Sequence, residues 1–242
     1  MSVRAWGAPL VKIGVLGDIH GNAAALKAVL GHALREGVER LVVTGDLVGY
    51  YFDPAEVLRL LDDWDAVIVR GNHEDMLAAA RADAAALPAI RKSYGSGIDV
   101  ALEELSEAEL DRLCALPHPL PVQLDDVRVL LCHGSPADND EYVYPDAKPD
   151  VLDRCAVPGY DVVIMGHTHY PLQREVAGIT LLNPGSVGQP RNREPGAQWA
   201  LLDTATGRAT LRNERYDPTA VAAQARARHP ELPYLAEVLT RT

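Results

Sequence analysis

Short apolar runs that end in clusters of polar residues set the pattern of this chain. Ile13–Leu16 runs into "GDIHGN", Val42–Val43 into "TGDLVGY", Val67–Val69 into "RGNHED", Val129–Leu131 into "CHGSP" and Val162–Met165 into "GHTHY". Helical spacing separates the first three runs, which signals β-α-β units and a mainly parallel sheet. Strands are expected at Leu10–Leu16, Leu41–Thr44 and Ala66–Val69. "NAAALKAVLGHALREG" is expected as a helix capped by Asn22 and closed near Gly37. "DPAEVLRLLDDW" carries a helix-start signature, with Asp53 at the N-cap, Pro54 at the first helical position and Glu56 at the third.

Residues 74–116 are rich in Ala and Leu at helical spacing, broken by "SYGSG" and restarted by the capping box "SEAE" at Ser106–Glu109. They are expected as a cap-like helical excursion. Beyond Pro117, "VQLDDVRVLLCHG" reads as a hairpin turning at Asp125 and Asp126, and "AQWALLDT" and "RATLRNE" read as strands flanking Gly207. A peripheral helical tail is expected at about 218–242. No repeat or linker interrupts the pattern, so residues 1–242 are expected as one domain.

Twenty-three basic against thirty-four acidic side chains give a formal charge of -11, which opposes binding to nucleic acid or an anionic membrane through bulk charge. A phosphate-bearing ligand would need local positive charge, and metal ions would supply it. Three scattered cysteines, Cys114, Cys132 and Cys155, read as reduced thiols. No apolar run approaches the roughly 20 residues of a membrane span, and residues 1–9 lack a secretory pattern, so a cytoplasmic location is expected.

Ligands bind at the carboxyl ends of strands in open α/β sheets. If the strands are mostly parallel neighbours, Asp18, His20, Asp46, Asn72, His73, His133, His167 and His169 converge there. Imidazoles, carboxylates and a carboxamide make a nitrogen and oxygen donor set suited to Mn, Fe, Zn, Co or Ni. Eight donors exceed the needs of one four-coordinate ion, whereas two ions about 3.5–4 Å apart, sharing one carboxylate, would use them.

The order and spelling of "GDIH", "GDLVGY", "GNHE", "CHG" and "GHTH" over residues 11–190 resemble the calcineurin-like metallophosphoesterase superfamily. "NPGS" at Asn183–Ser186 is similar to its small bacterial and archaeal branch, and "GDLVGY" is similar to members related to diadenosine tetraphosphatases. The resemblance implies an α/β fold of two mixed β-sheets packed as a sandwich with helices on both outer faces. It implies Asp18, His20 and His169 on one metal, Asn72, His133 and His167 on a second, and Asp46 bridging them. His73 would be the general acid, and a metal-bound hydroxide the nucleophile. The cofactors would be two divalent transition-metal ions, manganese foremost, with iron, nickel, cobalt or zinc as alternatives. The partner would be a small phosphate-ester or nucleotide substrate.

Several residues keep two readings. Asn22 can cap its helix or face a bound phosphate, and Arg191 can bind phosphate or be an ordinary solvated charge. Glu74 and Asp75 either orient His73 or start the next helix. Tyr50, Tyr51 and Phe52 offer a stacking surface for a nucleobase or pack the following helix. The expected activity is hydrolysis of phosphomono- or phosphodiesters; the alternatives are a dinucleoside polyphosphate hydrolase and a non-catalytic protein-binding scaffold.

Overall fold

The structure, a computed structural model, describes residues 12–242. Leu10 and Val11 of the expected first strand, and the segment 1–9, lie outside the described residues. The elements run β1 (Lys12–Leu16), α1 (Ala23–Glu36), β2 (Val38–Val43), α2 (Pro54–Asp62), β3 (Asp65–Ile68) and α3 (Asn72–Ala82). After a 3-10 turn come α4 (Leu87–Tyr94), α5 (Gly97–Glu104), α6 (Glu107–Cys114), β4 (Leu120–Leu124) and β5 (Val127–Leu131). The chain continues through α7 (Pro149–Cys155), β6 (Val162–Ile164), β7 (Leu172–Val176), β8 (Ile179–Asn183), β9 (Ala197–Asp203) and β10 (Arg208–Glu214). Two helices, α8 (Thr219–Arg228) and α9 (Tyr234–Glu237), follow.

The strands do not form one open sheet, as the apolar runs alone suggested, but two five-stranded mixed sheets of order β10-β9-β1-β2-β3 and β4-β5-β6-β8-β7. In the first, β1, β2 and β3 are parallel and β9 and β10 antiparallel. In the second, β5, β6 and β8 are parallel between antiparallel edges β4 and β7. Successive side chains of a strand point to opposite faces, and both faces of these strands are buried. Ile13, Val15 and Val42 of one sheet meet Val129, Leu131, Val162 and Ile164 of the other between the layers. The alternate residues Leu16, Leu41 and Val43 turn outward onto α1, α2 and α3, while Leu130, Val163 and Met165 turn onto α7. Continuous apolar runs are the sequence imprint of that double burial, and helices cover both outer faces as the resemblance implied.

Local signals match the elements. The Asn22 side chain accepts from the backbone of Ala25 at 3.1 Å, and Gly37 closes α1 at φ 75°. Ser106 and Glu109 form the expected capping box, and Asp125 turns the β4-β5 hairpin at φ 51°. Asp53 occupies the N-cap of α2 but its carboxylate makes no cap bond; Glu56 is drawn away to Arg59 and Lys27. The β7-β8 hairpin, turning at Ala177 and Gly178, and α7 carried no expectation.

The segment after Pro218 packs Val221, Ala225, Leu235 and Leu239 against Tyr50, Tyr51 and Phe52. Tyr51 donates its hydroxyl to the carbonyl of Leu235 at 3.0 Å, and the backbone N–H of Ser96 donates to Nε2 of His229 at 2.9 Å. The three adjacent aromatics therefore divide: Tyr51 and Phe52 are packing residues of the tail, and Tyr50 turns toward the polar strand ends.

Candidate metal centre

The carboxyl ends of β1, β2 and β3 from one sheet and β5, β6 and β8 from the other open onto the same edge of the sandwich. The loops leaving them are bound to one another through backbone: Ile19 and His20 donate to the carbonyl of Asp46, both at 2.9 Å, and Gly166 donates to that of His133 at 2.6 Å. Asp18, His20, Asp46, His167 and His169 all adopt left-handed backbone, with φ of 53°, 53°, 54°, 66° and 61°. Each such residue costs on the order of 1–3 kcal/mol and persists only where its surroundings hold it. Five of them at one place mark side chains aimed against local preference. Gly49, at φ 91°, lies against the His73 ring, where a Cβ would collide with the imidazole.

Two groups of donors form around Asp46. In one, Nε2 of His169 is 3.0 Å from Nε2 of His20 and 3.5 Å from Asp18 Oδ1. In the other, Nε2 of His133 is 3.0 Å from Asn72 Oδ1 and 3.2 Å from His167 Nδ1. Asp46 Oδ2 reaches both, 3.6 Å from His20 Nε2 and 3.4 Å from His133 Nε2. All seven expected ligands are therefore brought together. Each triad Asp18-His20-His169 and Asp46-His133-His167 has its donor atoms within 4.8 Å of one another, close enough to share an ion.

Protonation decides what this crowding means. Nδ1 of His20, His133 and His169 faces the carbonyls of Val48, Thr44 and Gln189 at 3.2, 2.7 and 2.6 Å. A carbonyl only accepts, so Nδ1 carries a proton in all three; in the neutral His20 and His169 the Nε2 lone pair points inward, the arrangement that orients metal-ligating histidines, and His133 takes it up once its second proton is lost. His20 and His169 then present two bare lone pairs 3.0 Å apart. Neutral imidazoles in that arrangement repel unless a cation lies beside both, so the residues fit a metal. Nε2 of His167 is also buried without a hydrogen-bond partner.

Burial pushes the Asp18 carboxyl up to about 7, although His133 pulls it down. Burial likewise holds His20 and His169 well below the usual imidazole range and His167 at about 3. For His133, burial is outweighed by Asp46, which lifts it to about 9; Asp46 is held well below the usual carboxylate range by His133 and His73 despite its own burial. The protein alone thus balances its donors with one ion pair, His133 and Asp46. Added cations would keep both carboxylates ionised and all the imidazoles neutral.

His73 adjoins both groups and makes a third triad with His20 and Asp46, whose donor atoms also lie within 4.8 Å of one another. Its backbone N–H donates to Asp46 Oδ1 at 2.9 Å, while its ring lies between Tyr50 and Tyr94 with Nδ1 buried and unpartnered. Burial lowers this imidazole to about 4. Glu74 neither orients that ring nor merely starts a helix. Its carboxylate accepts from the backbone of Asp46, Leu47 and Gly71, each at 2.8 Å, and fixes the turn that presents Asp46. Asp75 instead pairs with Arg70 at 2.8 Å. Glu74→Ala orphans three buried N–H donors, so a stability loss of about 2–4 kcal/mol is expected. Glu74→Gln recovers little of it, because the amide nitrogen would face donors. Urea unfolding of the metal-free variants reads the loss, and a change below about 1 kcal/mol would contradict the role.

The Asn22 side chain is engaged within the protein. Its oxygen caps α1 and its amide donates to Gly188 O at 2.9 Å and Tyr216 Oη at 3.0 Å, which uses its hydrogen-bonding capacity. Arg191 is mostly buried, donates to Tyr50 Oη at 2.9 Å and lines the cleft with Asp46, Asn72, His73, Tyr94, Tyr142 and His169. That cleft encloses about 10 Å³, room for about one water. A roomier groove of about 690 Å³ lies between Arg193–Gly196 and the tail and touches none of the donors. The orienting carbonyls of Val48, Thr44 and Gln189, and the wall formed by Tyr94 and Tyr142, had no sequence signal, since backbone carbonyls and loop side chains carry no motif.

Two mixed sheets whose joined strand ends carry a nitrogen and oxygen donor cluster define an α/β protein with a metal-binding edge. The family model of the calcineurin-like phosphoesterase superfamily domain matches residues 11–207. The chain belongs to that superfamily and is an enzyme of the phosphoesterase class. It is 28% identical over 222 residues to an uncharacterised protein of Methanocaldococcus jannaschii, covering 85% of this chain and 88% of that one. To the phosphodiesterase YfcE of Escherichia coli it is 27% identical over 198 residues, covering 80% and 88%. Among solved structures, a hypothetical protein of Pyrococcus horikoshii superposes with a TM-score of 0.81 at 23% identity, covering 96% of this chain and 98% of that one. A metallophosphoesterase of Sphaerobacter thermophilus gives 0.75 at 25% identity, covering 96% and 99%. No helix among the described residues is long and apolar enough to cross a membrane.

Proposed function

We propose that this chain hydrolyses small phosphodiesters and phosphomonoesters at a centre for two divalent cations. The facing Nε2 atoms of His20 and His169, with Nδ1 of each held to a carbonyl, carry the reading. Asp18, His20 and His169 would hold one ion, Asn72, His133 and His167 the other, and Asp46 would be shared. When bound, such ions lower the pKa of coordinated water and offset phosphate charge. A donor set without thiolate suits manganese first, then iron, cobalt, nickel or zinc.

The protein's own groups complete the chemistry. His73 gives a proton to the departing alkoxide; buried and neutral in the free enzyme, it becomes a donor when the negative charge of a bound phosphate raises its affinity for a proton. Arg191, held by Tyr50, supplies a fixed cation for the phosphate at the mouth of the cleft.

The test is hydrolysis of p-nitrophenyl phosphate and bis(p-nitrophenyl) phosphate after loading with Mn²⁺, Fe²⁺, Co²⁺, Ni²⁺ or Zn²⁺ in turn. Turnover is expected with at least one ion, and its absence with all of them would overturn the reading. Metal removal has a separate signature. At 100 times its Kd a ligand stabilises by about 2.7 kcal/mol, so chelator should lower the melting temperature by roughly 5–10 °C and metal should restore it. An unchanged transition would argue that these donors hold no ion.

A further inference from the structure

Tyr142 and Tyr144 belong to an irregular loop between β5 and α7 for which no role has been assigned. The Tyr142 ring lies 4.0 Å from that of His167, centroid to centroid, and stacks on Tyr144 at 5.7 Å and 17°. Tyr170 meets Tyr144 edge-on at 5.6 Å. Between the two stacked residues, Val143 is buried among Cys132 and Met165, which anchors the loop and sends both neighbours to the surface together. Tyr142 and Tyr144 are 47% and 38% exposed. Among the described residues only Leu34, Leu211 and Tyr234 are comparably exposed large apolar side chains, and these do not form such a stack. An exposed pair of parallel rings touching a donor of the centre is a surface built for a flat partner.

We propose that Tyr142 and Tyr144 form a stacking platform for the base of a nucleotide whose phosphate sits at the donor cluster. The proposal rests on the phosphoesterase reading and names its substrate class. Tyr142 lines the wall of the cleft together with Asp46, Asn72, His167 and Arg191, so a group carried by a phosphate at the donor cluster passes this ring on its way to solvent. Aromatic faces take any base without regard to its sequence of polar groups. Asp140 borders the platform, within 3.4 Å of His167 Nε2. A further phosphate beside the first would meet this carboxylate, which favours a mononucleotide ester over a polymer or a polyphosphate chain.

Calorimetric titration of manganese-loaded protein with adenosine 5′-monophosphate and with ribose 5-phosphate tests this, because the two share a phosphate and sugar and differ in the base. The wild type is expected to bind the nucleotide at least fivefold more tightly; Tyr144→Ala should bring the ratio near one, and Tyr144→Phe, which keeps the ring, should restore it. Equal affinities in the wild type, or a ratio unmoved by Tyr144→Ala, would overturn the platform. Failure to hydrolyse any phosphoester would instead remove the phosphoesterase reading, and the affinity ratio still decides the platform.

Discussion

Asp46→Asn is expected to empty the centre of at least one of two metal ions and to lower kcat/KM by at least about a thousandfold, which corresponds to about 4 kcal/mol of transition-state stabilisation. The size follows from position. Oδ2 of Asp46 is the atom that reaches both donor groups, and this carboxylate is held well below its usual range by the imidazoles around it. Asparagine removes the negative charge from both groups at once. It retains an oxygen for the backbone N–H of His73, now 2.9 Å from Oδ1, so the start of α3 and the fold should survive. Elemental analysis beside circular dichroism separates the cases. Two equivalents of metal and more than a tenth of the activity in a folded Asp46→Asn protein would refute the shared-ligand role.

His73→Ala is expected to behave in the opposite way, keeping its metal and losing rate. Its side chain is outside both ligand triads assigned to the ions, and its ring occupies the space between Tyr50 and Tyr94. A proton donor matters in proportion to the basicity of the departing group. For an alkyl alcohol leaving group, a loss of about 10²–10⁴ in kcat is expected; for p-nitrophenolate, which departs without a proton, a loss below about tenfold. Because burial holds the free imidazole at about 4, its protonation is expected only in the complex with substrate, so the wild-type profiles of kcat and kcat/KM against pH should differ on the alkaline side. Equal losses with good and poor leaving groups would show that His73 shapes the cleft and donates no proton.

The proposed division between metal ligand and proton donor is visible in the chain only as two neighbours, Asn72 and His73, at the end of one apolar run. In the structure Asn72 Oδ1 turns to His133 at 3.0 Å, while the His73 ring meets His20 edge-on at 4.6 Å and packs against Tyr50 and Tyr94. Glu74 shows the same limit. Beside a general-acid candidate it reads as an orienting group, but its carboxylate gathers backbone N–H groups from a loop 26–28 residues away. Asn22 moved the other way, because capping and a tie to Gly188 use the amide that a phosphate would have needed.

By itself the sequence determined the strands other than β7 and β8, the first helix and its caps, and the eight polar side chains that meet at the strand ends, because each rests on local physics: apolar periodicity, cap chemistry and polar residues at the end of a buried run. The strand pattern by itself left open how these strands divide between the two sheets that the family resemblance implied, since a strand buried on both faces shows no periodicity that tells which neighbour it will take, and the tertiary structure settled the order. It also decided which imidazole nitrogen points inward. That choice belongs to the carbonyls of Val48, Thr44 and Gln189, which lie 20–89 residues from their histidines and reach them only after the two sheets have packed.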